Sequence, residues 1–351
     1  MKKSRALSIM AGVLVLALAV SGCSGGAAGG EQSQGGGDED QQYVVGISNT
    51  LASSLWREQM ICSIKAEALA SGKVSEVITI SKDGGPTEQI QDLQNLISQG
   101  VDILVVNPSD PEKLNSIIAE ADAQGITVVA VDSAVTAPEA HVITNDQVAW
   151  GELEMRKLAE MIGGEGDVLY MRGIQGVQAD IDRDTGVKAA LEDYPGINLK
   201  EVWTGWDYTK AGEIAVQEFS AKQYDAVWTS GPDYPVVNGI LTAGRDLVPI
   251  GGQGSNEFIK QLTEGAEGVL VTNPPAIGGA GLNVALRVAG GEDVEHDTII
   301  DPEVFTSTDN AADLAGMYLP DEAPNFITTL SVPGLTTYTD EQVLACKGPG
   351  E

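Results

Sequence analysis

From Tyr43 to about Val271 the sequence alternates short β-branched runs with amphipathic stretches, and this alternation restricts the fold more than any other feature. The runs 43–49, 74–81, 101–108 and 126–133 are nearly all apolar, as strands buried on both faces are. The stretch 87–99 between two of them repeats its apolar residues at helical spacing. Strand–helix–strand repetition predicts parallel pairing through right-handed crossovers.

The pattern pauses at residues 141–146 and then begins again, with strand-like runs at 167–173, 197–206, 224–231, 247–252 and 267–273. We therefore expect an α/β protein of two doubly wound, Rossmann-like lobes with parallel sheets, joined by a hinge near Asn145 and Asp146. A helix over 276–289 and a strand over 298–305 follow, and residues 307–351 show no clear period.

The N-terminus has the pattern of an export signal. A basic stretch, Met1–Arg5, precedes an apolar stretch, Ala6–Val20, which is too short for a stable membrane span. Val20-Ser21-Gly22-Cys23 resembles the bacterial lipobox, which implies a signal peptide over 1–22 and lipid on Cys23. An ordinary secretory signal is the alternative. Residues 23–42 are rich in glycine and predict a disordered tether, so the body is expected outside the cell membrane, held to its outer face.

The chain carries 51 acidic and 20 basic residues, a formal net charge of −31. Such a field repels nucleic acid, so we expect no nucleic-acid partner.

Apart from Cys23, the cysteines of the chain are Cys62 and Cys346. In an oxidising compartment they are expected to form a disulfide that ties the C-terminus to the first helix. Two separate buried thiols are the alternative.

Polar and aromatic side chains recur where the predicted strands end, and in open parallel sheets ligands bind beyond the carboxyl ends of the strands. In the first lobe these residues are Asn49, Asp83, Asn107, Asp132 and Asn145, and in the second they are Arg172, Trp206, Asp207, Asp233, Gln253 and Asn273. If the two edges face each other, they form a polar cleft. The alternative for any single Asn or Asp is that it caps the following helix.

This chemistry suits a carbohydrate. Planar amide, carboxylate and guanidinium groups bond pairs of hydroxyls, and an aromatic face accepts the C–H side of a sugar. Trp56 follows the first strand and Trp206 ends a strand of the second lobe, so these two are the candidate aromatic walls, with core packing as the alternative.

The body, about Tyr43 to Thr306, resembles the type I periplasmic sugar-binding proteins of the ribose, xylose and galactose group. The matching stretches are "VDILVVNPSD", "VVAVDS", "VITNDQVAWG", "RDTGVKAAL" and "KQLTEGAEGVLVTNPPAIGGAGL". The resemblance implies ligand-binding roles for Asn107, Asp132, Arg183 and Trp206, with Trp56 in the first loop.

The chain also departs from the family pattern. Ser133 stands where the family often has arginine, which removes one bidentate clamp. Gln253 replaces an aspartate, Asp233 follows one extra residue, and Asn273 stands in place of a glutamine. These changes weaken any transfer of ribose or galactose identity to this chain. We divide such a fold into a first lobe (43–145 and 274–300), a second lobe (146–273 and 301–340) and a tail (341–351).

The function expected from the resemblance is capture of a sugar or polyol between closing lobes by a lipoprotein monomer, with delivery to the permease of an ABC importer. A receptor for a sugar-like signal, acting through a sensor kinase or chemoreceptor, is the alternative. An enzyme is disfavoured, because no G-x-G-x-x-G follows the first strand and no phosphate-binding P-loop motif is present. No calcium-loop motif occurs either, so we expect neither metal nor cofactor.

Overall fold

A computed structural model describes residues 42–351. The predicted signal peptide, Cys23 and the predicted tether up to residue 41 lie outside the described residues. Across residues 42–351, no helix combines the length and the apolar character that a membrane span requires.

The strands, numbered along the chain, are β1 (Tyr43–Asn49), β2 (Val74–Ser81), β3 (Ile103–Val106), β4 (Thr127–Val131), β5 (Ala140–Asn145), β6 (Glu165–Arg172), β7 (Gly196–Trp203), β8 (Ala226–Thr229), β9 (Ile250–Gly252), β10 (Gly268–Val271), β11 (Asp297–Ile300) and β12 (Val304–Thr306). The helices are α1 (Leu55–Ser71), α2 (Pro86–Ser98), α3 (Asn115–Ala123), α4 (Gln147–Met161), α5 (Gln178–Asp193), α6 (Tyr208–Ala221), α7 (Tyr234–Thr242), α8 (Asn256–Thr263), α9 (Ile277–Ala289), α10 (Ala311–Met317) and α11 (Asp340–Ala345).

The strands form two six-stranded sheets, with the orders β11-β5-β4-β3-β1-β2 and β12-β10-β9-β8-β6-β7. All neighbouring strands pair in parallel except β12, which is antiparallel to β10. If β11 and β12 are left out, the two sheets have the orders β5-β4-β3-β1-β2 and β10-β9-β8-β6-β7. Both are the strand order of a doubly wound fold. The predicted fold class is confirmed.

Each sheet is covered by helices on both faces, which explains why its central strands are apolar throughout. In the first lobe, α1 and α9 pack on one face, and α2 and α3 on the other. In the second lobe, α4 and α5 cover one face, and α6, α7 and α8 cover the other. Trp150 and Trp228 lie buried in this second core and meet edge-on, with ring centroids 5.6 Å apart.

Between strands, the chain passes from one lobe to the other after β5, after β10 and between β11 and β12. The passage from β11 to β12 corrects the predicted single strand over 298–305. The structure divides that run into β11 of the first sheet and β12 of the second. Pro302 lies between them and lacks the N–H that a continuous strand would use.

One predicted helix starts later than its sequence signals indicate. Asp110 and Pro111 have the pattern of a helix start, but α3 begins at Asn115. Asp110 instead accepts hydrogen bonds of 3.0 Å from the backbone N–H groups of Glu112 and Lys113, so it caps a separate turn before the helix.

The tail returns to the first lobe. Helix α10 packs on the second lobe through Leu314. Farther along, Tyr338 and Val343 pack on Ala66 of α1, and Glu67 accepts a 2.8 Å hydrogen bond from the N–H of Thr337. The first lobe thus includes residues from about 330 onward, which the predicted division places in the second lobe up to residue 340. The reason is that α1 offers an apolar face that the tail covers.

The structure joins Cys62 on α1 to Cys346, the residue that follows α11, by a disulfide. The two cysteines are separated by 284 residues in the sequence. The bridge therefore closes almost the whole folded body into one covalent loop.

A buried acid, Glu154 on α4, makes stability depend on pH. One carboxyl oxygen accepts a 3.1 Å hydrogen bond from the N–H of Thr229, and the other has no hydrogen-bond partner among the described residues. Burial raises the pKa of Glu154 well above its usual range, although Arg183 opposes the shift. The folded state therefore retains a proton that the unfolded chain releases above about pH 4.5.

We predict that Glu154→Gln removes this pH dependence. Between pH 4.5 and the raised pKa, the wild-type free energy of unfolding should fall by about 1.4 kcal/mol per pH unit relative to the variant. Urea denaturation of both proteins at pH 4.5, 5.5, 6.5 and 7.5 measures the difference, and the effects of acids that do not interact with Glu154 cancel in the comparison. Parallel pH profiles would contradict the prediction.

Candidate functional site

A cavity of about 430 Å³ lies between the lobes, a size that suits a small molecule. The first lobe lines it with Leu51, Ser53, Ser54, Leu55, Trp56, Arg57, Asp132 and Ser133. The second lobe and the β10–α9 passage line it with Gln147, Ile174, Val177, Ala179, Arg183, Gly205, Trp206, Asp207, Tyr208, Thr209, Ser230, Pro232, Gln253 and Asn273. The tail contributes Asn325 and Ile327.

Arg183 is held in place at the second-lobe side of the cavity. Helix α5 packs closely on α4 because Gly186 has no side chain. A Cβ at this position would overlap the carbonyl oxygen of Val148. The guanidinium lies 4.0 Å from the ring centre of Trp150. Its Nε donates a 2.7 Å hydrogen bond to the side chain of Gln147, and one terminal nitrogen donates a 2.8 Å bond to the carbonyl of Ser230.

The charge of Arg183 is not neutralised by a direct ion pair. Its side chain is 3% exposed, yet no carboxylate oxygen of residues 42–351 forms a salt bridge with it. Burial lowers the pKa of Arg183 to about 10, so the guanidinium remains protonated at neutral pH. A buried cation of this kind favours ligand oxygens that accept its remaining N–H groups.

A chain of side-chain amides extends from Arg183 across the passage between the lobes. Gln147 donates a 3.0 Å hydrogen bond to Oδ1 of Asn273, which also accepts a 2.9 Å bond from Asn145. Nδ2 of Asn273 lies 3.5 Å from the side-chain oxygen of Gln253. These bonds connect the β5–α4 and β10–α9 passages, so they fix the hinge side of the cavity.

Asp132 supplies the carboxylate of the first lobe. It follows β4 in the left-handed region, at φ 67°, and its side chain is 9% exposed. One oxygen lies 2.8 Å from a guanidinium nitrogen of Arg57 and accepts a 3.3 Å hydrogen bond from Asn107. Arg57, at the start of α1, thus places a guanidinium beside Asp132. The family often has this group on the residue after the aspartate, where the present chain has Ser133.

The two predicted aromatic residues both line the cavity. Nε1 of Trp56 donates a 2.9 Å hydrogen bond to the carbonyl of Asn273, and Nε1 of Trp206 donates a 3.0 Å bond to the hydroxyl of Ser230. A Cβ at Gly173 would overlap the Trp206 ring, so glycine there allows the indole to lie on the β6–α5 loop. Each ring is therefore fixed by its own N–H and presents apolar surface to a ligand.

The cavity brings together eight of the predicted residues, namely Trp56, Asp132, Ser133, Arg183, Trp206, Asp207, Gln253 and Asn273. The other six do not line it, and local packing explains why. Asn145 donates to Oδ1 of Asn273, and Arg172 forms a salt bridge with Asp180. Asn49 is buried and donates to the hydroxyl of Ser81, and Asp83 is exposed on the loop after β2. Asn107 is buried and positions Asp132. Asp233 is fully buried and caps α7, accepting from the N–H of Tyr234.

Sequence reasoning missed several lining residues, among them Arg57, Gln147, Tyr208, Ser230 and Asn325. Arg57, Gln147 and Tyr208 are in the first turns of α1, α4 and α6. A search that included the first helical turn after each strand end would have found those three. Asn325 follows no strand, so no signal in its neighbourhood points to the cavity.

Within residues 42–351, no group of three or more His, Cys, Asp or Glu side chains is arranged to hold a metal ion. The cavity instead offers guanidinium, carboxylate, amide, hydroxyl and indole groups, which suit a neutral molecule rich in hydroxyls.

Comparison with curated proteins finds similarity to binding proteins, not to enzymes. The chain is 30% identical to a xylitol-binding protein of Mycolicibacterium smegmatis over 232 residues, which cover 64% of this chain and 66% of that protein. It is 22% identical to a ribose import binding protein of Bacillus subtilis over 262 residues, 73% of this chain and 83% of that protein.

Solved structures share the fold. An ABC transporter solute-binding protein from Thermobispora bispora has a TM-score of 0.72 at 24% identity, covering 87% of this chain and 94% of that one. A solute-binding protein from Bacillus halodurans, with bound myo-inositol, has a TM-score of 0.69 at 24% identity, covering 80% of this chain and 100% of that one. The family model of the periplasmic binding protein domain matches residues 45–293. With this match and the two-lobed architecture, the chain belongs to the periplasmic binding protein family.

Proposed function

We propose that this protein captures a sugar or a sugar-like polyol between its two lobes and delivers it to the permease of an ABC transporter. One observation carries the proposal: a single cavity of about 430 Å³ is lined both by the buried guanidinium of Arg183, which forms no salt bridge in the described part of the chain, and by the ion pair between Asp132 and Arg57. Together they offer donors and an acceptor to hydroxyls, and Trp56 and Trp206 offer apolar faces.

The relatives support this class of ligand. Their names refer to xylitol, ribose and D-xylose, and related folds contain myo-inositol, D-allose and L-arabinofuranose. All of these are uncharged polyhydroxylated molecules. Gln253 in place of an acid, and Ser133 in place of an arginine, distinguish this cavity from the predicted family pattern, so the preferred ligand is expected to differ from ribose.

The test is a thermal-shift screen of the protein with xylitol, D-ribose, D-xylose, myo-inositol, D-allose and L-arabinose, followed by calorimetric titration of each hit. A ligand that binds only the folded state at 100 times its Kd stabilises that state by about 2.7 kcal/mol and raises Tm. Amino acids and nucleosides serve as controls. Tight binding of one of those classes, with no sugar or polyol hit, would overturn the proposal.

The site of action rests on the N-terminal sequence. We propose that lipid on Cys23 anchors the protein as a monomer to the outer face of the cell membrane, where the tether lets the body reach the permease. Labelling with an alkyne-tagged fatty acid should mark the wild type and not Cys23→Ala. Equal labelling of both proteins would contradict the anchor.

A further inference from the structure

The tail reaches the ligand cavity. We call residues 324–328 the tail wall, because Asn325 and Ile327 within it line the cavity beside the residues of both lobes. The periplasmic-binding-protein match covers residues 45–293, so the tail wall lies beyond the residues that the family model describes.

Hydrogen bonds to the second lobe fix the backbone of the tail wall. The carbonyl of Phe326 accepts a 2.7 Å bond from the N–H of Asn256, and the N–H of Thr328 donates a 3.3 Å bond to Gly254. Ser255 also pairs with Ile327 in an isolated antiparallel bridge.

The first lobe holds the same segment through one side chain. Gln59 on α1 donates a 2.9 Å hydrogen bond to the carbonyl of Ile327 and accepts a 2.9 Å bond from its N–H. Gln59 is 6% exposed and Ile327 is 1% exposed, so this pair is shielded from water. The tail wall is consequently a preorganised surface rather than a loop that must order when a ligand arrives.

Asn325 has unused hydrogen-bonding capacity at this surface. Its half-buried side chain makes no hydrogen bond to any atom of residues 42–351, whereas Oδ1 of Asn273 already accepts bonds from Asn145 and Gln147. The Asn325 amide therefore retains an acceptor oxygen and two N–H donors for a ligand. A closed cavity that excludes water would make an unpaired amide costly, which favours ligands with a hydroxyl at this point.

We propose that Asn325 is a ligand-binding residue that determines specificity, bonding one hydroxyl at the tail end of the cavity while Ile327 limits the ligand's size there. This inference rests on the proposed function, because it assigns a subsite within the same cavity. The tail is thus a third wall of the binding site, in addition to the two lobes.

The test compares the full chain with Asn325→Ala and with the matched control Ser331→Ala, an exposed residue of the same tail. The probe is whichever of xylitol, D-ribose, D-xylose, myo-inositol, D-allose and L-arabinose binds the wild type most tightly. Calorimetry is expected to show Kd about tenfold higher for Asn325→Ala, the loss of one hydrogen bond, and unchanged for Ser331→Ala. Tm without ligand should be equal in all three proteins.

Monodeoxy analogues of that probe separate a ligand contact from a structural effect. One analogue, which lacks the hydroxyl bonded by Asn325, should bind wild type and Asn325→Ala with equal affinity. Unchanged Kd for the parent probe in Asn325→Ala would overturn the inference, as would the same loss for every analogue. If the wild type binds no probe, the proposed function fails and this inference with it; if it binds but Asn325→Ala binds equally well, only the inference fails.

Discussion

Arg183→Ala is expected to raise the Kd of the protein for its sugar or polyol at least a hundredfold. The guanidinium is 3% exposed, lines the cavity and forms no salt bridge within residues 42–351. Hydrogen bonds to a charged group contribute about 1.5–3 kcal/mol each, so losing two of them exceeds the 2.7 kcal/mol that corresponds to a hundredfold change. Titration calorimetry measures the effect directly.

Two further variants show whether the effect belongs to the guanidinium itself. Arg183→Lys retains the charge but loses the planar fork, so its affinity should lie between those of the wild type and Arg183→Ala. Arg287→Ala removes a half-buried arginine of α9 that pairs with Glu292 and does not line the cavity, and its Kd should equal that of the wild type. If Arg183→Ala folds and binds the ligand with wild-type affinity, Arg183 is not a ligand-binding residue.

The pH dependence of binding offers an independent check on the same residue. Burial lowers the pKa of Arg183 to about 10. Binding that depends on its charge should therefore weaken above pH 10, while an arginine with an ordinary pKa would remain charged there.

Most of the fold follows from local sequence patterns. The β-branched runs and helical periods predict most strands and helices of both lobes, because a strand buried on two faces has few alternatives to an apolar sequence. Strand β5 is not among those predicted, since the sequence pattern pauses at 141–146. The run 298–305 is a second exception. Its composition indicates one strand, but its first half pairs with the first sheet as β11 and its second half pairs with the second sheet as β12. This division depends on how the two sheets are placed in three dimensions, which the local sequence does not encode.

The candidate site was less predictable than the fold. Residues directly after strands are brought to one edge by the sheet itself, which explains why Asp132, Trp206 and Gln253 were found. Asp233 also follows a strand, but its side chain caps α7 within the second lobe instead of lining the cavity. The sequence does not distinguish a capping residue from a cavity-lining residue at such a position. Asn325 reaches the cavity only because the tail crosses between the lobes, which no local pattern encodes.

The disulfide carries the second large expected effect. The chain-entropy model assigns about 5 kcal/mol to a bridge that closes so long a loop, because the crosslink restricts the unfolded chain. Replacing both Cys62 and Cys346 by alanine should therefore lower Tm by about 8 °C for a body of this size. Differential scanning calorimetry of the oxidised wild type and the double variant measures the shift.

Reduction provides the matched control. A thiol reductant should lower the Tm of the wild type to that of the double variant. It should leave the double variant unchanged, because Cys23 is then the one cysteine in the chain and no intramolecular disulfide can form. The bridge anchors the tail to α1 next to Tyr338 and Val343, so the loss should also expose the region after residue 330 to limited proteolysis. Equal Tm values and equal cleavage patterns for the two oxidised proteins would show that packing on α1, rather than the covalent link, holds the tail in place.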